Sequence, residues 1–200
     1  MNLNRLLQRR AALGGPVRVG LIGAGKFGSM FLNQVPTMEG LEVSVIADLD
    51  PERARHACRT VGWDRARIGR AAFVATGGEA CADPSVEVVV EATGNPAAGI
   101  AHARAAIAAN KHIVMVNVEA DVLAGPLLAA EAREKGVVYS LAYGDQPALV
   151  CELVDWARAC GFAVAAAGKG TKYLPIYHRV TPYGVWAHYG FTSEEARRTG

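Results

Sequence analysis

The chain has 200 residues, of which 51% are hydrophobic and 20% are charged, and its formal net charge is +2. This composition is typical of a soluble globular protein, and the length fits one domain or one domain with part of another. The small net charge gives no reason to expect nucleic acid or an anionic membrane as a partner, and no apolar run approaches the length of a membrane span.

The N-terminal segment and the cysteines both favour the cytoplasm. Residues 1–15 are expected to form an arginine-rich helix, and they lack the continuous apolar core of a signal peptide. The spacing of the cysteines matches neither a C-x-x-C motif nor a metal finger, so we expect reduced and mostly buried thiols at Cys58, Cys81, Cys151 and Cys160.

A glycine-rich turn follows the first predicted strand, Val17–Ile22. It reads G-A-G-K-F-G over residues 23–28, which is the G-x-G-x-x-G pattern of a dinucleotide-binding turn. In such a turn Gly23 allows the tight bend, Gly25 allows a pyrophosphate to approach the backbone, and Gly28 allows the helix to pack on its strand. The helix is expected over residues 25–35, ending before Pro36.

The second predicted strand, Leu41–Ala47, ends at an acidic residue. Asp48 lies 20 residues after Gly28, the separation expected of the carboxylate that binds an adenosine ribose. Asp48 could instead cap the next helix, but Asp50, directly before Pro51, is better placed to do so.

The helix predicted over residues 51–61 carries three arginines. They are most simply a solvated face, but one of them could bind a 2′-phosphate, which leaves NADP open beside NAD. They are Arg53, Arg55 and Arg59.

The alternation of strands and helices continues to residue 142 and predicts the fold. Further strands are expected at residues 72–75, 86–93, 112–118 and 137–142, with helices near Glu79 and over residues 96–110 and 126–135. Six strands alternating with helices predict an α/β protein with a Rossmann-type, doubly wound parallel sheet over residues 16–142.

The rest of the chain, residues 143–200, is expected to be part of a substrate or catalytic domain, too short for a core of its own. A helix is predicted over residues 147–160, a strand over 162–167, and then a loop rich in glycine and lysine. Cys151 and Cys160 are expected to be core residues of that helix.

Polar residues at the strand ends complete the predicted cofactor site, because ligands of such sheets bind at the carboxyl ends of the strands. Thr93, Gly94 and Asn117 should lie near the nicotinamide, with Asn95 as the clearest turn former. The cofactor-binding set is thus Gly23, Gly25, Lys26, Phe27, Gly28, Asp48, Thr93, Gly94 and Asn117.

Lys169, Lys172 and Asp145 are the candidate catalytic residues. A lysine near a carbonyl could donate a proton or stabilise oxyanion charge during hydride transfer, or the two lysines could hold a phosphate or carboxylate of the substrate. The alternative is that both lysines are solvated in a turn.

A divalent metal such as Mg²⁺ or Mn²⁺ is a further possibility, since hard cations take carboxylate oxygens. Glu119 and Asp121 are the main candidate ligands, and Asp145 and Glu152 are the further carboxylates that could join them. Ordinary helix caps and surface acids are the simpler interpretation. His178 and His188 are each more simply structural than ligands.

The chain resembles homoserine dehydrogenases and their relatives in four motifs. These are the G-A-G-K-F-G turn, A-D-L-D-P-E at residues 47–52, E-A-T-G at 91–94 and N-K-H-I-V at 110–114. It is more specifically similar to homoserine-dehydrogenase-like oxidoreductases with a C-terminal SAF domain, a group that includes the deoxyxylulose-phosphate-reductoisomerase-like enzymes. That similarity rests on N-V-E-A-D at 117–121, Y-G-D-Q-P at 143–147, G-K-G-T-K-Y at 168–173, Y-H at 177–178 and W-A-H-Y-G at 186–190.

The resemblance implies a cytoplasmic, homo-oligomeric NAD(P)-dependent oxidoreductase acting on a small polar carbonyl or hydroxyl substrate, with NADPH and a divalent metal in the reductoisomerase-like members. Homoserine dehydrogenases commonly have a lysine after an Ala-Asn pair, whereas Asn117 is followed here by Val118, so homoserine is not expected as the substrate. Relatives are longer, so the alternative is a truncated nucleotide-binding or regulatory module without turnover.

Overall fold

The computed structural model describes residues 3–142 and 146–168, together with the single positions 181, 184, 192 and 194. The chain divides into two compact units, Met1–Ala148 and Leu149–Gly200. The helices of the described residues are α1 (Leu3–Gly14), α2 (Lys26–Gln34), α3 (Pro51–Thr60), α4 (Arg65–Arg70), α5 (Gly77–Ala82), α6 (Pro96–Ala108), α7 (Val118–Lys135) and α8 (Gln146–Ala159). The strands are β1 (Val17–Ile22), β2 (Leu41–Ala47), β3 (Ala72–Val74), β4 (Val88–Glu91), β5 (His112–Met115) and β6 (Tyr139–Leu141).

Within the described residues, these strands form one parallel sheet in the order β3-β2-β1-β4-β5-β6. At its carboxyl edge Ile22, the last residue of β1, pairs with Ala47 of β2 on one side and Glu91 of β4 on the other. The crossover helices cover both faces, so the predicted α/β Rossmann-type fold is confirmed. Because the chain reverses its direction of winding at β1, the crevice beside β1 is the expected ligand site.

Two apolar layers hold the sheet between its helices. One face buries Val45, Val89 and Ile113 against α5, α6 and α7. The other buries Val19 and Ile46 against α2 and α3. Because both faces are covered, most of the strands are rich in aliphatic residues, and this made them predictable from the sequence.

The start of α7 differs from the prediction. The helix begins at Val118 rather than near Pro126, because the side chain of Asn117 accepts a hydrogen bond from Ala120 N–H and caps it. Pro126 lies inside the helix, where it cannot donate to the carbonyl of Val122. Both residues are exposed, so solvent can satisfy that carbonyl. Gly136 ends the helix with φ of 70°, as its position predicts.

One helix was missed and two other expectations are wrong. Helix α4 was not predicted, although Asp64 caps it by accepting a hydrogen bond from Arg67 N–H. The strand predicted over residues 162–167 does not form, since no described segment pairs with it. Cys151 and Cys160 are exposed rather than core residues, whereas Cys58 and Cys81 are buried as expected.

No helix of the described residues is long and apolar enough to cross a membrane.

Candidate functional site

A cleft of about 400 Å³ opens at the carboxyl edge of the sheet in the first unit. Its lining comes from the ends of β1, β2, β3 and β4 and from α3, α5 and α6. The residues are Ile22, Gly23, Gly25, Ala47, Asp48, Leu49, Arg53, Ala75, Thr76, Gly77, Ala92, Thr93 and His102. This is the place where a doubly wound sheet binds a nucleotide.

The three motif glycines have different roles in the turn after β1. Gly23 has φ of 98°, and a Cβ atom there would lie 2.8 Å from the carbonyl oxygen of Ala92. A Cβ atom on Gly28 would clash with the carbonyl oxygen of Gly23, so glycine is required for the close approach of α2 to the turn. A Cβ atom on Gly25 would meet nothing within 4 Å, so the space over its backbone is open to a ligand. The turn therefore fits a pyrophosphate at Gly25.

Asp48 connects the end of β2 to this turn. Its Oδ2 atom accepts a hydrogen bond from Ala24 N–H at 3.0 Å, and its Oδ1 atom accepts one from Asp50 N–H at 3.0 Å. Burial alone would raise the pKa of Asp48, but the hydrogen bonds from Asp50, Ala24 and Arg53 and the charge of Arg53 together hold that pKa below its usual value. The side chain is therefore an ionised carboxylate in the wall of the cleft.

Arg53 lies at the rim, and its Nη2 atom donates to Oδ1 of Asp48 at 2.6 Å. The arginine side chain is 61% exposed and the aspartate side chain 2%, so only the arginine is free to move into solvent. Asp50 caps α3 by accepting hydrogen bonds from Glu52 and Arg53 N–H. The cap role considered for Asp48 thus belongs to Asp50, which leaves Asp48 for the cleft.

Glu91, at the end of β4, lies below the cleft floor rather than in it. Its Oε1 atom accepts hydrogen bonds from the N–H and hydroxyl groups of Thr93 at 3.3 and 2.6 Å, and it lies 3.2 Å from Nδ1 of His102. The residue is completely buried. His102, which lines the cleft, was missed by sequence reasoning because a single histidine in an alanine-rich helix carries no motif.

The other predicted cofactor residues are more peripheral. Lys26 and Phe27 are exposed in the first turn of α2 and do not line the cleft. Gly94 is exposed with φ of 70°. Asn117 is 2% exposed, and its side chain caps α7 and donates to the carbonyl oxygen of Asn95 at 2.8 Å. Asn117 therefore holds two loops together, and its side chain does not reach the cleft.

Comparison with known families decides the class of this site. Residues 17–143 match the GFO/IDH/MocA model, described as an oxidoreductase family with an NAD-binding Rossmann fold. The chain belongs to the GFO/IDH/MocA oxidoreductase family. Residues 144–200 match a second model, described as the catalytic domain of oxidoreductase DRL. Among curated proteins, none matches the chain significantly.

Solved structures of similar fold include three oxidoreductases. An NAD-binding oxidoreductase from Klebsiella pneumoniae is 25% identical, with a TM-score of 0.53, over 73% of this chain and 39% of that one. The myo-inositol dehydrogenase of Lactobacillus casei, solved with NAD(H) and myo-inositol, is 21% identical, with a TM-score of 0.54, over 71% and 42%. The WlbA dehydrogenase of Bordetella pertussis, solved with NADH and UDP-GlcNAcA, is 20% identical, with a TM-score of 0.55, over 73% and 42%.

The family assignment corrects the expected resemblance to homoserine dehydrogenases, and the length of the relatives limits what can be stated about activity. The chain is a GFO/IDH/MocA member and not specifically homoserine-dehydrogenase-like, because the motifs shared with homoserine dehydrogenases are those of a Rossmann NAD-binding domain in general. The chain spans about two-fifths of the length of the solved relatives. An NAD-binding domain is therefore established for this family member, while the activity of the whole protein is a matter for proposal.

The predicted metal candidates do not form a site in the described part of the chain. Glu119 is exposed, and Oδ1 of Asp121 accepts a hydrogen bond from the hydroxyl group of Tyr139 at 2.8 Å. Burial, reinforced by Asp121, raises the pKa of Tyr139, so the phenol remains the donor. Among the described residues there is no group of three His, Cys, Asp or Glu side chains that could hold a metal ion.

The three candidate catalytic residues, Asp145, Lys169 and Lys172, lie outside the described residues, as do His178 and His188. All five fall within the segment matched by the DRL catalytic domain.

Proposed function

We propose that this protein is an NAD-dependent oxidoreductase that moves a hydride between the nicotinamide and a hydroxyl or carbonyl group of a small polar substrate. The observation that carries the proposal is the cleft in which an open glycine turn, at Gly25, and an ionised carboxylate, at Asp48, face the same space. Together they offer backbone contact to a pyrophosphate and an acceptor for ribose hydroxyl groups. Bound NAD(H) would supply the hydride chemistry.

Asp48 favours NAD over NADP in this proposal. A buried carboxylate that is already ionised repels a 2′-phosphate but accepts hydrogen bonds from free ribose hydroxyl groups. Arg53 occupies one oxygen of Asp48 and can move away from it, since its side chain is mostly exposed. NADP stays the alternative cofactor, with Arg53 as the residue that would contact its extra phosphate.

The proposed substrate class is a small compound rich in hydroxyl groups, such as a sugar, a sugar acid or a sugar phosphate. Two of the solved proteins that share the fold were crystallised with myo-inositol or UDP-GlcNAcA, which are compounds of this kind. The resemblance to reductoisomerase-like enzymes with a SAF domain favours a phosphorylated sugar derivative. A cytoplasmic location and a homo-oligomeric state complete the proposal on the same resemblance.

Lys169, Lys172 and Asp145 are proposed to act on the substrate. The match of residues 144–200 to an oxidoreductase catalytic domain supports this assignment, because all three lie in that segment. One lysine would donate the proton to the substrate oxygen as the hydride arrives, and Asp145 would orient it. The other would bind an anionic group of the substrate.

Single-turnover hydride transfer tests the proposal. The protein is mixed with NADH and a panel of keto sugars, sugar acids and sugar phosphates, and the loss of reduced-nicotinamide absorbance is followed. Lys169→Met and Lys172→Met are made separately. The variant that removes the general acid should lower the transfer rate by at least about 100-fold, and the variant that removes the anion-binding lysine should weaken substrate binding instead, with NADH affinity unchanged in both. Binding of NADH without transfer to any member of the panel would favour the non-catalytic module instead.

A further inference from the structure

His102, on α6, is one of the residues that line the cleft. Its side chain is 19% exposed and it lines the cleft beside Gly77 and Thr76. A Cβ atom on Gly77 would clash with Nε2 of His102, so that nitrogen lies against the α-carbon of Gly77 in the cleft wall. The opposite ring nitrogen, Nδ1, is 3.2 Å from Oε1 of Glu91.

Glu91 directs its hydrogen bonds at residues that line the cleft. Its Oε1 atom is the hydrogen-bond partner of Thr93 and His102, which both line the cleft. Its Oε2 atom is buried and forms a hydrogen bond to no described group. Burying a carboxylate that is only partly hydrogen-bonded is costly, and an apolar residue would fill this layer at lower cost. A function at the cleft explains why a carboxylate occupies the position.

The contact between Glu91 and His102 determines whether Nε2 of His102 can donate or accept a hydrogen bond. Oε1 of Glu91 already accepts a hydrogen bond from the Thr93 N–H, so it acts as an acceptor, and Nδ1 of the ring is the donor to it. In the neutral imidazole the other nitrogen, Nε2, is then an acceptor. In this neutral form the cleft wall carries an acceptor, Nε2 of His102, packed against Gly77.

The position of this acceptor indicates which part of a dinucleotide it would meet. Residues at the ends of β1, β2, β3 and β4 line the cleft, and none of its lining comes from β5 or β6. His102 follows β4 in the chain, but its ring packs against Gly77, directly after β3 and Thr76, and Asp48, the candidate ribose ligand, lines the same cleft. The half beside β2 and β3 is the adenosine half of a Rossmann site.

We propose that Nε2 of His102 binds the adenosine half of NAD by accepting a hydrogen bond from a ribose hydroxyl or from the adenine amino group, and that Glu91 is the positioning residue that fixes the ring and its tautomer. The proposal rests on the proposed function, because it assumes that the cleft binds NAD.

The direct test uses His102→Asn, with His56→Asn as the matched control. An asparagine amide can keep the bond to Glu91 but cannot reach as far as Nε2, whereas His56 lies exposed on α3 outside the cleft lining. Affinities for ADP-ribose and NADH are measured by calorimetry, with melting temperatures recorded. We expect His102→Asn to weaken both ligands about 5- to 20-fold, the effect of one hydrogen bond. His56→Asn should change neither.

Glu91 is tested with a conservative and an apolar replacement. Glu91→Gln retains an acceptor for the Nδ1 proton, so binding should stay within about threefold of the wild type. Glu91→Met removes the acceptor and should weaken ADP-ribose as much as His102→Asn does. In ¹H–¹⁵N spectra of the imidazole rings, the Nδ1-protonated tautomer of His102 should persist in Glu91→Gln, and its Nε2 signal should shift when ADP-ribose binds.

The outcomes are distinct. Unchanged ADP-ribose affinity in His102→Asn overturns the proposal, and so does an Nε2-protonated His102 in the wild type. Weakened NADH binding with unchanged ADP-ribose binding overturns the assignment to the adenosine half. A wild-type protein that binds neither ligand overturns the proposed function itself, and this inference with it.

Discussion

The Oδ2 atom of Asp48 accepts a hydrogen bond from the backbone N–H of Ala24 at 3.0 Å, which joins the end of β2 to the glycine turn after β1. The same carboxylate holds Arg53 at the rim with its other oxygen. The buried side chain of Asp48 thus stabilises the turn and places a negative charge in the cleft wall. It also holds Arg53, the residue that could bind a 2′-phosphate. We therefore expect the stability of the turn and the proposed preference for NAD to depend on the same residue.

Replacing Asp48 by asparagine should make stability less dependent on pH in the acidic range. The folded pKa of Asp48 is below its ordinary value of 3.8, so the ionised group adds stability at pH values above 3.8 and loses that contribution as the pH falls through the folded pKa. At pH 7, Asp48→Asn should cost about 1.5–3 kcal/mol, the range for hydrogen bonds to a buried charged group.

Urea unfolding at pH 7 and near pH 3 measures this effect. Asp50→Asn is the control, because asparagine caps a helix about as well as aspartate and Asp50 is exposed. The free-energy difference between wild type and Asp48→Asn should shrink toward acid pH, while Asp50→Asn stays close to the wild type. An equal difference at both pH values would contradict the assigned role.

The ratio of NADPH to NADH affinity should change when Asp48 is replaced, and the change should depend on Arg53. Asp48→Asn removes the negative charge and weakens the hold on Arg53, so NADPH affinity should rise at least about tenfold relative to NADH. Adding Arg53→Ala should cancel this gain, because the freed guanidinium is the group that would contact the phosphate. Fluorescence titrations with both cofactors measure the ratio. A gain in NADPH affinity that survives Arg53→Ala would exclude Arg53 as the phosphate ligand.

Gly28→Ala should destabilise the fold, whereas Gly25→Ala should not. A Cβ atom on Gly28 would clash with the backbone of Gly23, which cannot move without breaking the turn, and overpacking of this kind costs about 1–3 kcal/mol. The same atom on Gly25 points into open space. Thermal unfolding of the two variants side by side tests the assignment, and equal melting temperatures would be evidence against it.

Lys111→Met should destabilise the protein without affecting the cleft. Lys111 is 7% exposed, and its ammonium group donates to the carbonyl oxygens of Asp83 and Val86 at 2.5 and 2.7 Å. Removing the donor takes a charged hydrogen bond from each carbonyl, and the carbonyl oxygen of Asp83 keeps only the bond from Val86 N–H, at a total cost of roughly 1–3 kcal/mol. Exposed Lys135→Met serves as the control. Chemical denaturation should show the loss only for Lys111, with NADH affinity unchanged; a loss of affinity would mean that this end of the sheet is coupled to the site.

Features encoded in a short stretch of sequence were predictable. The aliphatic runs at β1 and β2, the glycine turn and Asp48 at its characteristic distance need no knowledge of distant residues. The His102–Glu91 pair and the buried Lys111 ammonium depend on contacts between separate elements, which no local pattern records. The predicted start of α7 at Pro126 was wrong because the helix is capped earlier, by the side chain of Asn117.

The predicted strand over residues 162–167 is wrong for a related reason. An apolar run indicates that a segment prefers burial, but a strand also needs a neighbouring strand to hydrogen-bond its backbone N–H and C=O groups. No described segment supplies one. Four of the predicted cofactor residues, Gly23, Gly25, Asp48 and Thr93, line the cleft. The catalytic roles of Lys169, Lys172 and Asp145 stay predictions, because these residues lie outside the described residues.

The most direct test of the account is NADH binding by Gly25→Val. A Cβ atom at this position meets nothing within 4 Å, so we expect the melting temperature to remain close to that of the wild type while the valine side chain occupies the space above the turn. We predict that the wild type binds NADH, with NADPH weaker, and that Gly25→Val reduces NADH affinity by at least about 100-fold, as expected when pyrophosphate approach is blocked. Equal NADH affinity in the two proteins would contradict the central claim that this glycine turn is the cofactor site.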